Sequence, residues 1–255
     1  MRIAVAGATG RLGRHLVEVL AARGHTVKAM SRSTGVDLIT GTGLAEALRG
    51  AECVIDTASG PSPEQQPATD FFRTASRNLQ SASARAGVQR ILTVSIIGLD
   101  RFSAGYMAAK QVHEETMRSG PVPVSILRAA QFHEFVGQLV DWGRQAELSY
   151  VPRMRTQLVA ALTVAEALAA LAADANPSGA DSAGETILEV AGPREEQMVD
   201  AARRLAAKRG DAVRIEAVSS TDDPDGPLYE SGGLLPGPHA MLAGPTFDEW
   251  LEHTF

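Results

Sequence analysis

Tyr106 and Lys110 lie four residues apart, which on a helix sets a phenol and an ammonium on one face. The chain has only three lysines, Lys28, Lys110 and Lys208, among 24 basic residues, so a lysine at this spacing is not a by-product of composition. Ser95 stands eleven residues before the tyrosine, at the end of the apolar run Ile91 to Ser95. Together the three suit reduction of a carbonyl. The tyrosine hydroxyl would protonate a developing alkoxide, and the serine would hydrogen-bond the same oxygen. The lysine would lower the phenol's pKa and bind the ribose of a nicotinamide. A free phenol titrates near about 10 and is mismatched at neutral pH, so the cation is needed.

A second constellation lies at the start of the chain. Gly7-x-x-Gly10-x-x-Gly13 falls between a short apolar run, Ile3 to Ala6, and a helical pattern carried by Leu12, Leu16, Val19 and Leu20. In that setting Gly7 allows the tight strand-to-helix turn, Gly10 lets the backbone approach a pyrophosphate, and Gly13 lets the helix pack against the strand. The helix N-terminus then offers amides and partial positive charge to the anion. Arg32 in Ser31-Arg32-Ser33 follows the next strand, where a dinucleotide's adenosine ribose would lie. A cofactor without a 2′-phosphate usually meets an acid there, yet the first acid after His25 is Asp37. Arg32 is therefore read as a partner for a 2′-phosphate, helped by Ser31, Ser33 or Arg11, and NADP(H) is preferred over NAD(H).

The elements that must position these residues alternate. Strands are predicted at 3–6, 26–30, 53–55, 91–95 and 124–127, with helices at about 44–48, 68–86 and 104–118 between the later ones. Such alternation implies βαβ units and a parallel sheet. Further on, helices are expected at 132–145, at 164–173 with Thr163 as its cap, and at 195–208. Strands are expected at 186–190 and 213–218, the latter as the last. Asn176 to Gly179 reads as a loop, the stretch from Ser219 to Pro245 as a long irregular segment, and 247–251 as a terminal helix.

The expected fold is α/β, a Rossmann-type doubly wound parallel sheet with helices on both faces and a small C-terminal substrate-binding lobe. The chain is read as a single domain over 1–255. Its core covers about 1–130 with returning elements at about 157–190, and the lobe takes about 131–150 and 191–255. His133 and Gln131, after the fifth strand, would either meet a substrate or pack against the next helix. His113 reads as a surface residue or one behind the site, Asp56 as a loop-orienting acid, and Cys53 as an inert core thiol. Trp142 and Trp250 are expected to bury apolar area.

Taken together, the motifs resemble an atypical short-chain dehydrogenase/reductase of the NmrA-like NAD(P)-binding group. The resemblance rests on Gly7-Ala8-Thr9-Gly10-Arg11-Leu12-Gly13, Arg32, Asp37-Leu38, Ile55-Asp56-Thr57-Ala58, Val94 to Gly98, Tyr106 to Lys110 and Leu127 to Phe135. It is specific over roughly 1–170 and loose beyond. It implies that Thr57, Ala58 and Ser59 pass beside the adenosine ribose and that Ala129, Gln131 and Phe132 run beside the nicotinamide. Many members of the group lack a working tyrosine and only sense the cofactor, whereas this chain keeps Tyr106 and Lys110.

Composition bounds the rest. With 255 residues, 44% hydrophobic and 21% charged, the chain has the profile of an ordinary globule. A net charge of −6 with no basic run argues against a nucleic-acid partner. One cysteine excludes a disulfide framework, and six scattered histidines make no metal site. No apolar run is long enough to span a membrane, no targeting segment is visible, and the cytoplasm is the expected compartment. The leading reading is an NADPH-dependent oxidoreductase transferring hydride to a small carbonyl or quinone-like compound. A cofactor-sensing regulatory protein and a sugar-nucleotide epimerase or dehydratase stand as alternatives. The expected partner is a small-molecule substrate, and a homodimer is left open.

Overall fold

The computed structural model describes residues 1–174, 186–219 and 223–255. Its strands are β1 (Arg2–Ala6), β2 (Thr26–Met30), β3 (Cys53–Asp56), β4 (Arg90–Ile96), β5 (Val124–Ala129), β6 (Arg144–Gln145), β7 (Leu148–Pro152), β8 (Arg155–Thr156), β9 (Thr186–Ala191), β10 (Glu196–Gln197), β11 (Arg214–Val218) and β12 (Met241–Leu242). The helices are α1 (Arg11–Ala22), α2 (Leu44–Ala47), α3 (Gln65–Ala86), α4 (Gly105–Arg118), α5 (His133–Trp142), α6 (Ala161–Ala173), α7 (Met198–Arg209), α8 (Gly226–Ser231) and α9 (Phe247–Thr254). Among the described residues no helix is long and apolar enough to cross a membrane.

The main sheet is Rossmann-like, with helices around seven strands in the order β12-β9-β5-β4-β3-β1-β2. Its strands read as continuous apolar runs because both faces are covered: Ile3 to Ala6 and Cys53 to Asp56 are all buried. β1 pairs in parallel with β2 on one side and with β3 on the other. Chain order therefore reverses at β1 and β3. In a doubly wound sheet, ligands bind beyond the carboxyl ends of the strands at such a point.

The chain divides into two compact units. The first comprises 1–95, 105–128 and 164–188. Its core gathers Ala4, Met30, Val54, Leu79, Ile91, Met117 and Ile126, and α3 packs along α4. Gly87, left-handed at φ +74°, closes α3 as expected. The second unit comprises 96–104, 129–163 and 189–255. It holds a three-stranded sheet in the order β11-β7-β6 and a small antiparallel pair, β8 with β10.

Departures from the expected elements fall mostly in the second unit. The helix expected over 132–145 ends at Trp142, because Gly143 lies against Tyr150 and the next two residues pair with β7. Strand β7 was hidden because its buried residues are Ser149 and Val151, while Leu148 and Tyr150 turn outward. Thr163 does not cap α6. That helix starts at Ala161, whose amide meets the Glu134 carboxylate at 3.2 Å, so a residue distant in sequence does the capping. Glu196 and Gln197 belong to β10, and α7 starts only at Met198. The stretch 219–245 carries α8 and β12, so β11 is not the last strand. The loop expected at 176–179 lies outside the described residues.

Candidate cofactor and active site

The turn after β1 is built for close approach. Gly7 takes φ +73°, and a Cβ there would lie 2.8 Å from the Ala58 backbone at the end of β3. A Cβ on Gly13 would lie 2.1 Å from the Gly7 carbonyl, so the helix can sit on the turn only without a side chain there. The Gly10 amide donates to the Gly7 carbonyl at 2.9 Å, and Gly10 is the N-cap of α1. No side chain caps that helix, and its first turn carries no acid. Uncapped amides at the start of a twelve-residue helix, beside an all-backbone turn, fit a pyrophosphate. Thr9 and Arg11 are exposed here, whereas the Leu12 side chain is buried in the core and leaves only its backbone to the loop. Opposite the turn, Thr57 donates through both its amide (3.0 Å) and its hydroxyl (2.7 Å) to the Ala6 carbonyl, with Ser59 exposed beyond it.

At the end of β2 the chain turns through a short 3-10 segment, Arg32–Thr34. The Ser31 and Ser33 hydroxyls lie 2.9 Å apart. Arg32 is exposed and makes no ion pair with any described residue. Asp37 is turned away to its own loop, accepting from the amides of Ile39 (2.7 Å) and Thr40 (3.3 Å). A cation and two hydroxyls are thus offered where an acid would stand in a site built for ribose hydroxyls.

Ser95, Tyr106 and Lys110 are not joined as expected. No hydrogen bond links any two of them. The Ser95 hydroxyl is buried at the end of β4 without a partner. Tyr106 sets its ring edge against Phe72, 5.8 Å between centroids, and burial pushes its phenol up to about 12. Lys110 is only 5% exposed and turns inward. Its ammonium donates to the Val94 carbonyl at 2.7 Å, lies 2.7 Å from His113 Nδ1 and sits over the Phe72 ring. Burial lowers it to about 8 against the opposing pull of Asp56 and Glu114. In this arrangement Lys110 does not touch the phenol, and its ammonium is turned inward to Val94 and His113.

Of its two expected places, His113 takes the one behind the site and not the surface: it is 1% exposed, stacks on Phe72 at 4.6 Å, and its Nε2 lies 3.0 Å from Asp56 Oδ2. Burial and the Lys110 charge keep its pKa below the ordinary value. Asp56 Oδ1 accepts from the Ala58 amide at 3.0 Å, the loop-orienting role expected of it. Glu114 receives Arg128 in a two-pronged ion pair at 2.8 and 3.0 Å, with both residues buried. A signal was present. Met107, Lys110, His113, Glu114 and Met117 share one stripe of α4, so the stripe that carries methionines also carries charge.

The residues after β5 belong to the second unit. Ala129 and Ala130 are buried, and the Ala130 amide donates to the Val190 carbonyl. Gln131 Oε1 accepts from the Thr156 hydroxyl, and half-buried Phe132 bridges to Val159. His133 is fully buried, with Nε2 donating to the Leu158 carbonyl at 3.1 Å and the ring set edge-on to Phe247 and Trp250. Burial lowers it to about 4, and it packs rather than faces a substrate. Trp142, expected to bury apolar area, is 57% exposed. Cys53 is a buried thiol pushed up to about 11. Among the described residues no group of three or more His, Cys, Asp or Glu could hold a metal ion.

Solved structures of like fold include dTDP-4-dehydrorhamnose reductase from Bacillus anthracis in complex with NADP, at 16% identity and TM-score 0.73, covering 99% of this chain and 97% of that one. An NADPH-dependent quinone oxidoreductase from Escherichia coli matches at 20% identity and TM-score 0.66, over 98% of each chain. UDP-glucuronic acid 4-epimerase from Bacillus cereus, in complex with UDP-glucuronic acid and NAD, matches at 14% identity and TM-score 0.68, over 99% and 97%. At these identities the likeness shows the fold alone. No curated protein matches the sequence. The model of the NAD(P)H-binding family matches residues 7–175, from the first glycine of the turn through the last helix of the first unit, and the chain belongs to that family.

Proposed function

We propose that the protein is an NADPH-dependent reductase of a small carbonyl or quinone-like acceptor, with a quinone favoured. The observation that carries the reading is Arg32, an exposed cation without an ion-pair partner among the described residues, beside the Ser31 and Ser33 hydroxyls at the end of β2. An arginine in that place pairs with a 2′-phosphate in two directions at once. When bound, the reduced dinucleotide supplies a hydride. The uncapped start of α1 and the Gly7 turn hold its pyrophosphate, and Thr57 to Ser59 form the facing wall.

The acceptor follows from the proton. Hydride addition to a simple ketone leaves a strongly basic alkoxide, which needs an acid in place. The Tyr106 phenol, pushed up to about 12, with Lys110 bound elsewhere, is poorly suited to supply it. Hydride addition to a quinone leaves a delocalised phenolate, which water can protonate.

The test is loss of NADPH absorbance with a panel of quinones and matched aliphatic ketones and aldehydes. Quinones should be consumed with one NADPH each, and the ketones should be slow. Tight dinucleotide binding without consumption of any acceptor would replace this reading with a cofactor sensor. Protein purified with retained oxidised cofactor and unresponsive to NADPH would replace it with an epimerase-type enzyme.

A further inference from the structure

Lys110, His113 and Asp56 form one buried line ending at the backbone of the cofactor turn. Lys110 Nζ lies 2.7 Å from His113 Nδ1, His113 Nε2 lies 3.0 Å from Asp56 Oδ2, and Asp56 Oδ1 accepts from the Ala58 amide at 3.0 Å. The Ala58 backbone in turn lies so close to Gly7 that only glycine fits there. We propose that Lys110 is a positioning residue for the dinucleotide turn, acting through His113 and Asp56 on Ala58, and not a ligand of the cofactor.

The direction of each hydrogen bond follows from charge. An ammonium has protons and no acceptor, so it donates to His113 Nδ1 as it does to the Val94 carbonyl. With Nδ1 accepting, the neutral imidazole carries its proton on Nε2 and donates to the Asp56 carboxylate. A neutral amine at Lys110 removes that constraint. The ring can then place its proton on Nδ1, which sets a bare Nε2 against the carboxylate and frees Asp56 to swing from Ala58. The groups around the amine are Asp56 of β3, His113 and Glu114 of α4, the Val94 carbonyl of β4 and the Phe72 ring of α3, while the Thr93 hydroxyl of β4 lies 3.4 Å from His113 Nε2. Arg128 of β5 pairs with Glu114. Among the described residues Asp56 is the carboxylate on the line, Glu114 being matched by an arginine.

The amine titrates in an accessible range, lowered by burial to about 8, so its proton leaves as pH rises past that value. Dinucleotide affinity should therefore fall between about pH 7 and about pH 9 by about fivefold, the net worth of one hydrogen bond. The measurement is quenching of protein fluorescence on titration with NADPH and, separately, NADH, with thermal melts at each pH to check the fold. Both dinucleotides should weaken in proportion, because the line acts on the turn and not on the 2′-phosphate end. Lys110→Met should bind at the weakened level already at about pH 7 and show a flat profile. His113→Gln, whose amide donates to Asp56 whatever the state of Lys110, should also flatten the profile.

A Lys110→Met protein with wild-type affinity at about pH 7 would overturn the proposal. So would a fall seen with NADPH alone, or a His113→Gln protein that keeps the wild-type profile, since Lys110 would then act on the dinucleotide directly. If Lys110→Met does not fold, the His113→Gln profile decides. The proposal rests on dinucleotide binding, and its outcome is independent of which acceptor is reduced.

Discussion

The turn after β1 and the cluster beneath α4 lie in the same unit, yet they relate to their sequences in opposite ways. The turn is a backbone object. Its Gly7 and Gly13 are required by where main-chain atoms pass, and no other residue type could replace either without moving them. The cluster is a side-chain object. Tyr106 and Lys110 have the spacing of a catalytic pair, but where the ammonium goes depends on what lies under the helix, and Asp56 and His113 lie there. Spacing along a chain constrains the backbone strongly and the destination of a four-carbon side chain weakly.

The largest effect is expected at the base of the cluster. Arg128→Met leaves Glu114 buried without its two-pronged partner, and breaking such a pair from one side costs about 3–5 kcal/mol. Chemical denaturation should show this as a lower midpoint with an unchanged slope. Destabilisation below about 1 kcal/mol would mean that the cluster is open to water, which would return Lys110 to the reach of a ligand.

Gly10→Val tests the other region. A Cβ at Gly10 meets only the Gly7 carbonyl, at 3.1 Å, so the fold should adjust and the side chain should occupy the place of the pyrophosphate. Binding of either dinucleotide should weaken by about 100-fold or more, about 2.7 kcal/mol, with melting close to wild type. Gly13→Val should instead lower the melting temperature, since its Cβ would strike the turn. If Gly10→Val titrates like the wild type, the dinucleotide lies elsewhere.

These contrasts show what was legible. The first five strands and the helices α1, α3 and α4 could be read because parallel strands covered on both faces are apolar without interruption and because Gly7 and Gly87 mark turns. The second unit was harder. Ser149 is buried in β7 by donating to the Val140 carbonyl, and Glu134 caps α6 from 27 residues away. Neither fact has a local signature. The inward charges of α4 left a visible trace, a stripe shared by methionines and ionisable residues, but a stripe does not say which partners meet it.

Arg32→Ala is the next effect in size. Its loss should reduce NADPH affinity by about tenfold, about 1.4 kcal/mol, and leave NADH nearly unchanged, since the exposed guanidinium makes no ion pair with any described residue whose loss would disturb the fold. Paired titrations of the two dinucleotides give the ratio directly. Equal affinities in the wild type would remove the 2′-phosphate from the site and leave the end of β2 as an ordinary surface turn.

The smallest expected effect bears hardest on the comparison. Tyr106→Phe removes one oxygen that has no hydrogen-bond partner among the described residues and leaves the edge contact with Phe72, so stability should stay within about 0.5 kcal/mol. The phenol stays protonated to about 12, and the cation that would make it a better acid is held by Val94 and His113. With a quinone acceptor, turnover should therefore change by less than about threefold, against the ~10²-fold or more that a positioned general acid supplies. The ratio of kcat between wild type and variant, measured at saturating NADPH, decides. A loss of ~10²-fold would make Tyr106 the proton donor after all. It would also require Lys110 to leave His113 when the dinucleotide binds, because the phenol cannot be activated by an ammonium turned the other way. The four-residue spacing would then have been as legible as the glycines, and the difference between the two regions would belong to the unliganded chain alone.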